Sequence, residues 1–177
     1  AADPAQGLVG SNDRLPEARN GLSPQYDRMF YEPGYVSPEV IMSRSSWQTF
    51  IMDQQCVPRG FAGCTGIGQA AQNLVDCYDN IDGTPFDPSS VKGRTEPYKD
   101  RDPRLGMTVF HNGATWGVHN QTVEIYPGGQ NYDNNLSYTG YYVRKWCNPE
   151  IDYNSENLNR GRGWILFRYG EILLNYA

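Results

Sequence analysis

Residues 99–104 read KDRDPR and set Lys99, Asp100, Arg101, Asp102 and Arg104 around one proline. Carboxylates beside cations can form a general acid–base pair or a phosphate clamp, and they can equally form a structural corner held by ion pairs and caps. The local pattern favours the corner. Asp102 precedes Pro103, a pairing biased toward a turn or helix start. Its carboxylate is placed to cap the amides of Arg104 and Leu105, and Pro103 then occupies the first helical position, where a missing donor costs nothing. After that turn, Leu105, Met107 and Val109 alternate with Gly106, Thr108 and Phe110, which predicts a strand over 105–110.

Other chemistry-bearing residues give weaker patterns. His111 and His119 have no carboxylate or third ligand at a matching spacing, so they read as solvated loop histidines rather than a metal site. Asp76, Asp79 and Asp82 precede Gly83 at intervals of three, not in the alternate-residue pattern of a calcium loop. They read as a helix end with solvated acids. Gly66-Ile67-Gly68 is too short a fragment of a dinucleotide turn to carry weight, and no P-loop or nucleophile elbow is present. No pair of carboxylates stands out as a glycosidase dyad. No catalytic residue, metal or cofactor is therefore expected. The cysteines are Cys56, Cys64, Cys77 and Cys147. Cys56 and Cys64 enclose a glycine-rich loop and could pair in an oxidising compartment, or remain free buried thiols; their spacing fits no zinc signature.

Sugar recognition leaves a different trace. Pyranose rings present C–H faces that stack on aromatics, and their hydroxyls bond to amides, carboxylates and guanidinium groups. Three stretches set aromatics beside such groups: Ser46-Trp47-Gln48, Asn112 to Trp116, and Asn131 to Tyr138. The expected ligand-binding residues are Trp47 and Trp116 as stacking platforms, with Asn112 supplying amide hydrogen bonds. The competing reading packs each aromatic in the core. That reading suits Trp146 and Trp164, which lie in periodic segments.

The 177 residues are one domain's length. A formal charge of −5 gives no basic stripe for nucleic acid. The 19 Gly and 12 Pro exceed the roughly 12% of average usage, so much backbone should lie in turns and loops. The 13 Tyr and 4 Trp supply large areas for burial. No stretch approaches the ~20 apolar residues of a membrane-spanning helix, and no signal-peptide pattern opens the chain. Helices are expected near 22–30, with Ser23 as cap, over 69–78, with Ala71, Leu74, Val75 and Tyr78 on one face, and over 164–177. Strands are expected at 39–44, 105–110, 121–126 and 141–146, and a turn-rich connection at 80–90. In the last helix Ile165, Tyr169, Ile172 and Tyr176 form one row, and Gly170 suggests close approach of another helix.

DRDPRL followed by a strand and an NG loop with Trp116, then TGYYVRKW, then WILFRYGEILLNYA, resemble the SusD/RagB family in that order. QNLVDCYDNIDGTPF resembles the family's helix leading into a D-G-x-P turn, and SPEVIMS its preceding strand. The resemblance runs from about residue 26 to the end. It implies a mainly α fold with extensive loops and short strands, a fragment of a tetratricopeptide-like α-superhelix. Residues 1–177 would form a single partial domain, lacking the N-terminal helical repeats and the C-terminal continuation. It further implies a non-enzymatic, lipid-anchored protein on the outer-membrane surface of Bacteroidetes-type bacteria, its anchor outside this chain. Such a protein binds oligosaccharides or other nutrients and passes them to a TonB-dependent, SusC-like transporter barrel. The alternatives are a fragment of a carbohydrate-active enzyme and a region serving only to dock on the transporter.

Overall fold

The computed structural model describes residues 26–33, 37, 39–135, 137–155 and 157–176, and for residues 45–47 the backbone alone. In chain order its elements are α1 (Arg28–Tyr31), β1 (Val40–Thr49), α2 (Ile51–Cys56), α3 (Gln72–Asp76), α4 (Val91–Thr95), α5 (Pro103–Thr108), β2 (Val109–Phe110), β3 (Thr115–Trp116), β4 (Gln121–Thr122), β5 (Tyr142–Val143), β6 (Arg160–Arg168) and α6 (Tyr169–Tyr176). Of the described residues only 24% are helix and 19% strand, which corrects the expectation of a mainly α superhelix. Turn-forming Gly, Pro, Asn and Asp recur too often for helices to propagate beyond a few turns. No helix of the described residues is long and apolar enough to cross a membrane. The chain divides into two units, residues 1–50 with 156–177, and residues 51–155.

The first unit is built on one antiparallel pair. β1 runs against β6 from Val40↔Arg168 to Thr49↔Arg160, with irregular register at three points. Buried Arg162 donates to the Tyr31 carbonyl and so ties α1 to β6. The segment WILFRYGEILLNYA is half strand and half helix, not the continuous helix its apolar spacing predicts. Trp164 to Arg168 pair with β1, and the helix begins only at Tyr169. β-Branched and aromatic residues at 164–167 suit a pleated surface, and a partner strand overrides the helical period. At Gly170 a Cβ would lie 2.6 Å from Arg168 Nη1 and 3.1 Å from Glu39 Oε1. The close approach inferred from this glycine is therefore that of the Arg168–Glu39 ion pair, 2.7 Å long, and not of another helix. No residue of α6 is buried. Of the helix expected at 22–30, α1 is the described part; residues 22–25, and the Ser23 cap with them, lie outside the described residues.

In the second unit short elements are joined by ordered turns. β2 pairs with β5 through Val109↔Val143 and Phe110↔Tyr142, and β3 pairs with β4. Ala70, Val75, Leu105, Val109 and Tyr141 form a core cluster, with Tyr78, Tyr98 and Val143 against it. The helix expected over 69–78 is cut to Gln72–Asp76, because Gln69 is drawn into a bridge with Tyr142. Val75 and Tyr78 reach the core as the spacing predicts, whereas Leu74 is 41% exposed. The strands expected at 121–126 and 141–146 shrink to two residues each. α4 was not anticipated; Ser90 caps it, accepting from Gly93 N at 2.9 Å.

The KDRDPR segment is a structural corner. Asp102 accepts from Arg104 N at 2.9 Å and Pro103 opens α5, as the sequence predicts. The helix then runs to Thr108, so the expected strand is confined to Val109 and Phe110. Arg101, 5% exposed, donates to the carbonyls of Pro97 (2.8 Å), Val75 (2.6 Å) and Tyr78 (2.7 Å). Its guanidinium lies 3.4 Å from the centroid of the Phe86 ring. Burial pulls the Arg101 pKa down, and Asp76 among its neighbours opposes that shift. One side chain thus ends α3, anchors its own turn and covers Phe86.

Arg101→Lys keeps the charge but cannot span three carbonyls with a planar fork, and leaves buried acceptors unpaired. Urea denaturation should show a loss of about 3 kcal/mol. Asp102→Ala, which removes only the cap, should cost about 1 kcal/mol. Near-wild-type stability in Arg101→Lys would contradict this account of the corner.

Candidate ligand-binding site

The site grows out of the aromatic packing of the second unit. Trp116 ends β3 and is 2% exposed. Its ring meets Phe110 edge-on at 4.7 Å, and the Arg144 guanidinium lies 5.1 Å from its centroid. Its indole Nε1 donates to the Tyr153 hydroxyl at 3.0 Å. Tyr153 in turn packs against Phe61, their centroids 5.3 Å apart. Burial drives the Tyr153 phenol pKa up, so the hydroxyl stays protonated.

Above these rings is a cleft of about 160 Å³. One wall is the turn after α2, with Gly60, Phe61 and Ala62, and another is the β3–β4 turn, with Gly117, Val118 and His119. Gln121 of β4 and Ile151, Tyr153 and Asn154 complete it. Glycine is required at position 60, where φ is +101° and a Cβ would stand 2.7 Å from Asn131 Nδ2. That closeness lets Asn131, buried at 1% exposure, donate to the Arg59 carbonyl at 2.6 Å and accept from Glu124 N at 2.8 Å. Gly117, at φ +73°, turns the chain over the Tyr153 ring. On the exposed side of the cleft His119 Nε2 lies 3.5 Å from Asp152 Oδ1. The result is a floor made by the small exposed parts of Phe61 and Tyr153, themselves 6% and 8% exposed, with amide and imidazole groups around it. That combination is suited to a ligand carrying both apolar faces and hydroxyls.

The residues expected from sequence are not gathered here. Trp116 supports the cleft from beneath as a packed core residue and presents no open stacking face. Asn112 is exposed in the loop after β2 and is not part of the lining; its Oδ1 accepts from Ile125 N at 3.0 Å and holds that turn. Trp47 belongs to the first unit, on β1 opposite Arg162, and its side chain lies outside the described residues. His111 stacks on Tyr98 at 3.9 Å and is not among the residues that line the cleft. Among the described residues no group of three or more His, Cys, Asp or Glu could hold a metal. Asp76 accepts from Gln72 and Asp82 from Thr84, each within its own turn. None of the four cysteines is in a disulfide.

Phe61 and Tyr153 are the site residues that sequence reasoning passed over. Each is a lone aromatic among Gly, Ala, Asn and Asp, with no periodicity to mark it. The available signal was the setting itself: an aromatic in a turn, beside residues too small or too polar to bury alone.

A model of the SusD family matches residues 38–177, and the chain belongs to that family. It is similar in structure to a SusD-like protein of Bacteroides fragilis NCTC 9343, with a TM-score of 0.62 and 22% identity, over 85% of this chain and 34% of that one. A SusD-like carbohydrate binding protein of the same strain matches with a TM-score of 0.60 and 23% identity, over 85% of this chain and 31% of that one. At these identities the likeness is one of fold, and the chain spans about a third of the length of either protein. Among curated proteins none matches it.

Two outcomes follow from this packing. Trp116→Ala should cost about 3–5 kcal/mol of stability, the range for an excised core aromatic. A small change in melting temperature would place the ring at the surface instead. His111 has its pKa lowered by burial, the Asn112 carbonyl opposing and Arg144 assisting. Its neutral form is favoured by folding, so its contribution is whole above the unfolded value near 6.5 and declines as the pH falls from there through the folded pKa. Denaturation at pH 7.5 and 5.0 should show a smaller pH-dependent loss in His111→Asn than in the wild type.

Proposed function

We propose that this chain is part of a non-catalytic carbohydrate-binding protein, and that the cleft over Phe61 and Tyr153 holds one sugar residue of an oligosaccharide. The full-length protein works at the outer-membrane surface, held there by a lipid anchor, and passes the glycan to a TonB-dependent, SusC-like transporter barrel. Family membership supports the transport role. The carbohydrate role draws its support from the lining of the cleft.

The observation that carries binding over turnover is chemical. The lining combines two aromatic rings with Gln121, Asn154 and His119, and contains neither Asp nor Glu. Glycoside hydrolysis uses two carboxyl groups flanking the scissile bond. Asp152, next to the lining, accepts from Asn154 N at 3.0 Å and faces His119, both structural engagements. The lining also lacks Lys and Arg, so it suits neutral sugars. Amide side chains donate and accept at once, as sugar hydroxyls do.

Calorimetric titration with a panel of neutral oligosaccharides tests the proposal, with chromatography of the recovered sugar. Gln121→Ala and Asn154→Ala should each weaken binding about fivefold to tenfold, as loss of one hydrogen bond predicts. Their melting temperatures should stay unchanged and the sugar should be recovered intact. Shortened products would instead make the protein an enzyme. Unaltered affinity in both variants would remove the cleft from the binding site.

A further inference from the structure

We propose that Asn112-Gly113 is a modification site, where Asn112 converts to isoaspartate without an enzyme, and that the fold holds this reaction off. Asparagine before glycine is the pairing most open to it, because glycine has no side chain to shield its nitrogen. Both residues are exposed in the loop between β2 and β3. A Cβ at Gly113, where φ is +81°, would meet nothing within 4 Å.

The reaction needs two groups that the structure holds in place. The Gly113 nitrogen must give up its hydrogen to attack the Asn112 side-chain carbon. That hydrogen is donated to the Val123 carbonyl at 2.8 Å. The Asn112 amide must swing toward the nitrogen, but its Oδ1 accepts from Ile125 N at 3.0 Å. Val123 and Ile125 are both buried, so the two partners are fixed. His111 Nδ1, 2.9 Å from the Asn112 carbonyl oxygen, holds the plane of the Asn112-Gly113 peptide. Attack therefore waits for the loop to open.

Once it opens, a bond forms from the Gly113 nitrogen to Asn112 Cγ, and the bond from Cγ to Nδ2 breaks. Nδ2 leaves as ammonia, carrying the hydrogen of the attacking amide. The product is a five-membered cyclic imide, and water adds to one of its two carbonyls. Opening at the side-chain carbonyl gives aspartate; opening at the main-chain carbonyl gives isoaspartate. One water is consumed and one ammonia released, with no oxidant or reductant. Aspartate at this position still offers an acceptor to Ile125 N. Isoaspartate instead routes the main chain through Cβ and adds one atom between His111 and Gly113. The bonds from Gly113 N to the Val123 carbonyl and from Val123 N to the Ala114 carbonyl (2.7 Å) then lose their common register. Those bonds close the β3–β4 hairpin, whose turn supplies Gly117, Val118 and His119 to the cleft wall.

The test is to incubate the chain folded and in guanidinium chloride, at one mildly alkaline pH, and to map its peptides by mass spectrometry. Labelling with an isoaspartyl methyltransferase marks the isoaspartate. In denaturant Asn112 should convert about as fast as Asn20, the other asparagine before a glycine. In the folded chain it should convert about thirtyfold more slowly than in denaturant, the factor that two ordinary hydrogen bonds predict. The isoaspartate form, recovered by ion exchange from folded protein after long incubation, should lose about tenfold or more of the hydrogen-exchange protection at Gly113, Val123 and Ile125. Asn112→Asp should keep that protection. Equal rates in the two states, or an isoaspartate form protected like the wild type, would overturn the proposal.

Discussion

Three backbone carbonyls, of Val75, Tyr78 and Pro97, converge on the buried guanidinium of Arg101. Without a cation there, the carbonyls of Tyr78 and Pro97 would lose the Arg101 donor, and that of Val75 its shortest bond, 2.6 Å against 3.4 Å from Tyr78 N. Such a loss costs more than any surface ion pair returns. An arginine solves the problem because its fork is planar and rigid, so several bonds come at the entropy of one side chain. The Asp102 cap beside it then sets the direction of α5, and α5 delivers Val109 and Phe110 to β5. Phe110 supports Trp116, Trp116 bonds to Tyr153, and Tyr153 forms the cleft floor. The corner is thus connected to the candidate site through one packed chain of residues.

The same device recurs wherever loops meet. Asp53 accepts the amide of Asn148, and Asn131 bridges Arg59 and Glu124. In the other unit Arg162 reaches the Tyr31 carbonyl. A domain with short helices and two-residue strands cannot satisfy its backbone by secondary structure alone. It does so with buried polar side chains, each serving a specific peptide group. Loops held this way can be rigid, which a preformed cleft requires.

What could be read from sequence follows from how local each signal is. The Asp102-Pro103 cap is legible because capping is decided by adjacent residues, whereas the role of Arg101 depends on the Val75 and Tyr78 carbonyls, which reach it only after folding. The family was legible because several short motifs occur in a fixed order. The switch from strand to helix at Tyr169 was not, since Trp164–Phe167 fit a helical row and only pairing with β1 makes them a strand. The Asn/Gly loop beside Trp116 suggests a platform, but its burial depends on Phe110, Arg144 and Tyr153, which lie close only after folding. Phe61 and Tyr153 come from turns 92 residues apart, and nothing local to either announces the other.

Cleft and corner together describe a loop-built surface whose aromatic floor is set before any ligand arrives. A crystal structure of the chain with a bound neutral oligosaccharide tests that claim most directly. The account predicts a pyranose ring in the cleft over Phe61 and Tyr153, its hydroxyls within hydrogen-bond reach of Gln121 and Asn154, with the Trp116–Tyr153 bond unchanged. A well-ordered glycan elsewhere on the protein with the cleft empty would contradict it, as would a floor that rearranges to admit the sugar.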